Sequence, residues 1–407
     1  MDYYSRHLED ALWDSLRNFP VTAITGPRQS GKSTMVKQLV TIINEKASKG
    51  KSKSTAAFVY LDLERPSDLR KLDNAEWFLS AQKGKLICID EIQRKPDLFP
   101  LIRSLVDEWN RPGCFLILGS ASRDLLKQSS ESLAGRMSYK RLTPFLWNEI
   151  DSKNSMEHYF SAGGFPRSIL ALNEEASYQW RVDFISTFLE RDLLQWKEFT
   201  PAAMERLWRM LAHVNGQTVN YSVLASSLGI SSVSVKNYID LLASTYMVEI
   251  VPPWFSNLAK RLVKAPKIYI ADSGITAALL SLRSFEEVSG HPVFGSLWEQ
   301  IVLANLRGWF PNAEICYYRT SNGAEVDFVV RIDRNVYAIE CKASFDPVLS
   351  KGAYLAFEDI APRHTFIVTP STESWPFKPG IDVVSLGELR KKLIPFEASR
   401  KPPCRYS

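Results

Sequence analysis

Short unbroken apolar blocks alternate along the chain with segments in which apolar residues recur every three or four positions. Blocks bounded by polar turns predict buried strands, and longer periodic segments predict helices. Strands are expected at Val21-Thr22-Ala23-Ile24-Thr25, Ala57 to Asp62, Lys85 to Ile89 and Cys114 to Gly119. Leu8, Leu12, Leu16 and Phe19 predict an amphipathic helix whose role is packing, and Met35 to Ile43 predicts a second. Between them and the next strand, Asn44 to Thr55 carries four lysines among small polar residues and reads as a mobile surface loop. The alternation makes the chain α/β.

Further on the pattern changes. Residues 151–200 are helical, with aromatic and leucine positions suited to a lid packed on the core. From 201 to 280 it becomes compact: Met204 to Val214 gives one helix, Tyr221 to Leu228 a second, Gly229 a turn, and Ser231 or Ser232 caps a third that runs to Thr245. This is a helix-turn-helix layout. Val235, Ile239 and Leu242 face inward on the third helix, leaving Ser234, Lys236 and Asn237 outward. Met247 to Val251 and Lys267 to Ile270 form a wing, with Lys260, Arg261 and Lys264 between them for phosphate contact. Such modules also serve for protein docking, so both roles stay open. Residues 281–407 predict a small α/β domain, opened by a helix from Gly295 to Leu306 and closed by strands at His364 to Thr369 and Ile381 to Ser385, with a polar tail from Glu397. The expected domains are therefore 1–150, 151–200, 201–280 and 281–407.

Composition narrows this. A chain of 407 residues exceeds one ordinary domain, and 45% hydrophobic residues exclude a disordered or fibrous protein. A net charge of +5 permits nucleic-acid contact without demanding it, and only residues 201–280 are biased, with 7 Lys and Arg against 4 Asp and Glu. Five scattered cysteines without a C-x-x-C pair exclude a zinc or disulfide scaffold and read as reduced thiols. No apolar run approaches the ~18 residues of a membrane span, and no signal segment opens the chain, so a cytoplasmic protein without membrane partners is expected.

The first chemistry lies in Gly26-Pro27-Arg28-Gln29-Ser30-Gly31-Lys32-Ser33-Thr34, which fits G-x-x-x-x-G-K-[ST] between a strand and a helix. Glycine lets backbone N–H groups approach a polyphosphate, Lys32 reaches the β/γ-phosphates of ATP, and Ser33 offers a hydroxyl to Mg²⁺. The strand ending Cys88-Ile89-Asp90-Glu91 delivers two carboxylates, Asp90 for the metal's water shell and Glu91 as general base for the attacking water. Ser120, at the tip of the next strand, is placed to sense the γ-phosphate, and Arg136 to stabilise transition-state charge in cis or across the interface of a homo-oligomer.

Together with Asp90-Glu91-Ile92-Gln93, Gly119-Ser120-Ala121-Ser122 and Leu133-Ala134-Gly135-Arg136, the loop resembles the AAA-type ATPases of bacteria and archaea. More narrowly, the chain is similar to the group with a C-terminal PD-(D/E)XK nuclease-like domain. Gly163-Gly164-Phe165-Pro166, Glu190-Arg191-Asp192-Leu193 and Pro266 to Gly274 agree, so the resemblance spans nearly the whole chain. It implies a P-loop ATPase core with a helical lid, a winged-helix module and a PD-(D/E)XK-like α/β domain, and it strengthens Arg136 as an arginine finger.

The second acid cluster begins with Glu299 on the Gly295 to Leu306 helix. Ala324 to Val330 then carries Asp327, and Val336 to Lys342 carries Glu340 and Lys342, two apart and so on one strand face. Asp327 and Glu340, joined by Glu299, are candidate Mg²⁺ ligands, and Lys342 a candidate for stabilising phosphate charge. This matches the nuclease-like pattern that the resemblance implies. Two outputs follow: an ATPase controlling a DNA-binding winged helix and a Mg²⁺-dependent nuclease, or an ATP-controlled switch that recognises nucleic acid, DNA before RNA, or a protein partner without cleavage.

Overall fold

The computed structural model describes residues 3–49, 58–119, 133–192, 200–255 and 263–394. Contacts divide the chain into two units, Met1–Phe145 with Ser244–Tyr246, and Leu146–Ala243 with Met247–Ser407.

The first unit is built on β1 (Val21–Thr25), β2 (Phe58–Asp62), β3 (Leu86–Asp90), β4 (Phe115–Leu118) and β5 (Met137–Arg141), ordered β2-β3-β4-β1-β5. All four pairings are parallel. Every residue of β1 and β4 is buried, as expected of a parallel sheet covered on both faces. Side chains alternate between two cores. Val21, Ala23, Ile87, Ile89, Phe115 and Ile117 pack with the helix Leu98–Trp109. Ile24, Cys88, Leu116 and Leu118 pack with the helices Leu8–Asn18 and Lys32–Lys49. The second of these corrects the surface-loop reading for Asn44 to Lys49, where the helix continues, while Gly50 to Thr55 lie outside the described residues. Glu45, Lys46 and Ala47 are strong helix formers, which a reading for loop polarity overlooks.

The second unit opens with the helices Met156–Ala162, Pro166–Ile169 and Glu174–Thr187, followed by Pro201–His213, Tyr221–Leu228 and Ser232–Ser244. Ser231 caps the last of these by accepting from Ser234 N at 3.0 Å, and Gly229, at φ 69°, makes the turn before it. A three-stranded antiparallel sheet, β6 (Gln217–Thr218), β7 (Val248–Val251) and β8 (Lys267–Ile270), is ordered β6-β8-β7. Phe165, Phe184 and Phe188 share one core with Trp208, Val235, Ile239, Leu242, Ile268 and Ile270. Of the segment expected as a lid at 151–200, the aromatic side chains Phe165, Phe184 and Phe188 pack with the helices that follow.

Two sequence landmarks meet in that core. Asp272 accepts from Gly164 N at 2.7 Å and from Ile275 N at 3.0 Å. A Cβ on Gly163, at φ 71°, would collide with the Asp272 carboxylate, and one on Gly274 with Ala162 O. Nearby, Arg181 is only 1% exposed and donates to Ser168 Oγ at 2.8 Å and Ser177 Oγ at 2.7 Å.

The C-terminal part of this unit is a six-stranded sheet of β9 (Glu314–Arg319), β10 (Glu325–Ile332), β11 (Asn335–Cys341), β12 (His364–Thr369), β13 (Trp375–Lys378) and β14 (Ile381–Ser385), ordered β13-β14-β12-β11-β10-β9. The helix Phe294–Trp309 packs on it through the fully buried Trp298, whose Nε1 donates to Val368 O at 2.8 Å. The sheet is stitched to the chain leaving β7. Tyr317 N donates to Pro252 O at 3.0 Å, and Trp254 N to Tyr317 O at 2.7 Å. Cys88, Cys114, Cys316 and Cys341 are buried free thiols. Among the described residues no helix is long and apolar enough to cross a membrane.

Candidate functional sites

Parallel α/β sheets bind ligands at the carboxyl ends of their strands. There, β4 lies between β1, which feeds the P-loop, and β3, which ends in Asp90. Gly26 (φ 143°) allows the loop to pass against Leu142 O, where any Cβ would collide. Gln29 and Gly31 also have positive φ, 61° and 97°. This curled backbone turns N–H groups towards one concavity, the geometry of an anion nest. Lys32 opens the following helix, and its buried Nζ donates to Gly26 O at 3.0 Å and Pro27 O at 2.8 Å. Burial lowers its pKa to about 8 against the opposing pull of Glu91 and Asp90.

Ser33 Oγ donates to Asp90 Oδ2 at 2.7 Å, and the Tyr60 hydroxyl donates to the same oxygen. Asp90 Oδ1 accepts from Glu91 N at 3.0 Å. A hydroxyl and a carboxylate brought into contact beside the phosphate loop fit the oxygen donor set of Mg²⁺. Ser33 and Asp90 would hold it, and when bound it would neutralise charge on the β- and γ-phosphates. Glu91 sits in a left-handed conformation, φ 55°, and its carboxylate accepts from Gln93 Nε2. Such backbone strain in a non-glycine residue clusters at functional sites. Burial, then the neighbouring Asp90 charge, push its carboxyl above the usual range.

Two supporting residues escaped the sequence reading. Tyr60, on β2, braces Asp90. Arg6, 4% exposed, donates from Nη1 to Ser30 O at 3.0 Å and from Nη2 to Thr143 O at 2.6 Å and Pro144 O at 3.2 Å, with its guanidinium over the Phe145 ring. The segment around the first helix therefore does more than pack: it fastens the P-loop to the strand end after β5. A solitary arginine ahead of a helix carries no sequence signal for this.

The remaining nucleotide-site expectations divide. Ser120 lies outside the described residues, as do Lys260, Arg261 and the tail from Glu397. Arg136 is described, and it lies at the sheet edge opposite the P-loop of its own chain. Its carbonyl accepts from Val21 N, at the amino end of β1, whereas the P-loop leaves the carboxyl end. A five-residue strand separates the two edges by roughly 13 Å. The guanidinium is clamped on Asp107, with Nε at 2.5 Å from Oδ1 and Nη2 at 2.9 Å from Oδ2.

The second acid cluster does assemble. Phe328 pairs with Ile339, and Asp327 and Glu340 lie just beyond that pair, close enough for the Asp327 charge to act on Glu340. The register of β10 against β9 shifts between Val326 and Val329, the stretch that contains Asp327, and such irregularities re-aim side chains beside sites. Asp327 Oδ2 accepts from Cys341 N at 2.8 Å, and Lys342 Nζ lies 2.8 Å from Glu340 Oε1. Glu299 joins from its helix, accepting from the Tyr269 hydroxyl at 2.6 Å. Burial, then the Asp327 charge, raise both Glu299 and Glu340 above the usual carboxylate range.

Sequence reasoning missed the cation among these acids. Lys267, on β8 and 3% exposed, places Nζ 3.1 Å from Glu325 Oε1, 3.7 Å from Asp327 Oδ1 and 3.8 Å from Glu299 Oε2. The carboxylates are spaced for an ammonium. Mg²⁺ needs oxygens at about 2.0–2.1 Å, and among the described residues no group of three Asp, Glu, His or Cys side chains is arranged to hold a metal ion. The residues called as metal ligands here, Glu299, Asp327 and Glu340, do not fit one in this arrangement. The signal that would have revealed Lys267 was its period-two partnership with Tyr269, which puts both on one face of β8.

Comparison with known proteins gives these sites a setting. Residues 18–151 match the family described as AAA domain, while 153–286 and 294–389 match two families described as domains of unknown function. Uncharacterized protein Rv2008c of Mycobacterium tuberculosis and Mb2031c of Mycobacterium bovis are each 37% identical over 376 residues, 92% of this chain and 82% of theirs. Among solved structures, ORC2 of Aeropyrum pernix with ADPNP and ADP aligns with a TM-score of 0.39 and 15% identity, covering 69% of this chain and 92% of that one. The Bacillus subtilis DNA clamp loader delta protein aligns with a TM-score of 0.28 and 14% identity, covering 73% and 99%. With its P-loop, acidic strand tip and parallel sheet, the first unit is an AAA-type P-loop ATPase core, and the whole chain belongs to the family of Rv2008c and Mb2031c.

Proposed function

We propose that the protein is an ATP-controlled binding switch: ATP bound with Mg²⁺ is hydrolysed in the first unit, and the nucleotide state sets how the second unit holds its partner. The observation that carries this reading is the contact of Ser33 with Asp90 beside the P-loop, with Glu91 next in line. Lys32 then binds the phosphates and Glu91 takes the proton of the attacking water.

For the output, we favour DNA. Helix, short strand, two helices and a two-stranded ribbon follow one another from Pro201 to Ile270 in winged-helix order. The helix Ser232–Ser244 leaves Lys236 and Asn237 exposed, with Ser234 half-buried, and Lys264 is exposed before β8. A protein partner, or a second copy of the chain with Arg136 reaching a neighbour's nucleotide, is the rival outcome. Cleavage by Asp327, Glu340 and Lys342 is disfavoured by the lysine among the acids. A cytoplasmic location is part of the same proposal.

Hydrolysis and DNA affinity, measured with ATP and ADP, test it. Lys32→Ala should abolish turnover, and Glu91→Gln should bind ATP but turn over about a hundredfold or more slowly. Unchanged turnover in Glu91→Gln defeats the base assignment. Equal partner affinity with ATP, with ADP and in Lys32→Ala defeats the switch. Metal-dependent cleavage lost in Asp327→Ala would restore the nuclease reading.

A further inference from the structure

The strand β8 separates two environments. Ile268 and Ile270 enter the helical core, while Lys267 and Tyr269, on the opposite face, enter the acid pocket of the C-terminal sheet. A lysine as buried as Lys267 is tolerated only when its charge is matched. Here Glu299, Glu325 and Asp327 surround it, and the Tyr317 ring lies 5.6 Å from its Nζ.

We infer that this pocket is an internal ammonium site, in which Lys267 fills the place of a divalent cation and excludes one while β8 is docked. The inference deepens the non-cleaving reading of the C-terminal domain, rests on it, and supplies its physical cause.

Charge supports the exclusion. Glu299, Glu325, Asp327 and Glu340 are faced by Lys267, by Arg319, 3.4 Å from Glu325, and by Lys342 on Glu340. Four carboxyl groups against three cations leave at most one negative charge, which a divalent ion would overshoot. Within the pocket Asp327 Oδ2 also accepts from Cys341 N, and Glu299 Oε2 from the Tyr269 hydroxyl. The main chain of Lys267 is held in place, since its strand is paired on both sides by β6 and β7.

Mn²⁺ binding to the full chain, followed by EPR without nucleotide in a Lys32→Ala background, tests the inference. Lys267 intact should give no Asp327-dependent Mn²⁺ site. Lys267→Met should gain one ion per chain, and adding Asp327→Asn should remove it. Asp327-dependent Mn²⁺ uptake with Lys267 intact overturns the inference, and so does a folded Lys267→Met protein that gains none.

Removing the buried cation risks unfolding, so reductive methylation of the unmutated protein supplies a second readout. Lys267 should stay unmodified beside the exposed Lys264, with or without Mn²⁺, and methylation of Lys267 induced by Mn²⁺ would overturn the assignment. DNA cleavage is scored separately: cleavage by the unmutated protein defeats the binding-only reading and leaves the Mn²⁺ result to stand or fall alone.

Discussion

Ser33 Oγ and Asp90 Oδ2 are 2.7 Å apart although 57 residues separate them in sequence. One hydrogen bond joins the phosphate loop to the acidic strand tip, and the Tyr60 hydroxyl shares the acceptor oxygen. Groups that act through one contact are not additive. Ser33→Ala and Asp90→Asn should each slow hydrolysis, and the double variant should be little worse than the poorer single one. Tyr60→Phe should weaken Mg²⁺-ATP binding by about tenfold, as loss of a supporting hydrogen bond does at metal sites. Mg²⁺ titration of ATP binding measures it, and wild-type affinity in Tyr60→Phe would remove Tyr60 from the site.

Arg6 feeds three carbonyl oxygens from a buried position. Leaving such acceptors unpaired costs about 1–3 kcal/mol each when water cannot reach them. Arg6→Ala should lower the thermal stability of the first unit and weaken ATP binding. Lysine lacks the planar fork, so Arg6→Lys should recover only part of the loss. Full recovery by lysine would show that charge alone matters there.

Arg136, at the amino edge of the sheet, should be dispensable to its own nucleotide site. In dilute protein, Arg136→Ala should hydrolyse ATP at the wild-type rate. A defect that emerges only as protein concentration rises would assign the residue to a neighbouring copy. A defect at all concentrations would contradict the strand geometry.

Burial raises the Asp272 carboxyl above its ordinary value, against the opposing hydrogen bonds from Gly164 and Ile275. A carboxyl that binds its proton more tightly when folded stabilises fully below its unfolded pKa of about 4, and that contribution is lost as pH rises through the folded value. Denaturant unfolding followed from pH 4 upward should therefore show the unmutated protein losing stability relative to Asp272→Asn. A parallel pH dependence in the two proteins would refute this. Independently of pH, Asp272→Ala should destabilise the second unit, because the Gly164 and Ile275 N–H groups lose their acceptor.

Much of the molecule is legible in the residues because local pattern and tertiary need agree. The strand-loop-helix around Gly26 to Thr34 has a spacing that little else produces, and the helices 201–213, 221–228 and 232–244 announce themselves by period, cap and turn. β9 and β13 were not read. Pro376 interrupts one, and the other precedes a better-patterned neighbour, so each is settled by the strand beside it. At the sites, acids displayed at strand tips were readable. Arg6, Tyr60 and Lys267 were not, since each acts through a partner distant in sequence and no local pattern encodes that distance.

The stitch between Pro252, Trp254 and Tyr317 has a mechanical consequence. Backbone hydrogen bonds carry the β7–β8 ribbon directly into the C-terminal sheet, and Trp254 is buried in that sheet's core. The helix Ser232–Ser244, which shares a core with β8, and the C-terminal sheet are therefore joined through the same ribbon. Within this second unit, load placed on the ribbon reaches the sheet through main-chain hydrogen bonds, which side-chain substitution alone does not remove.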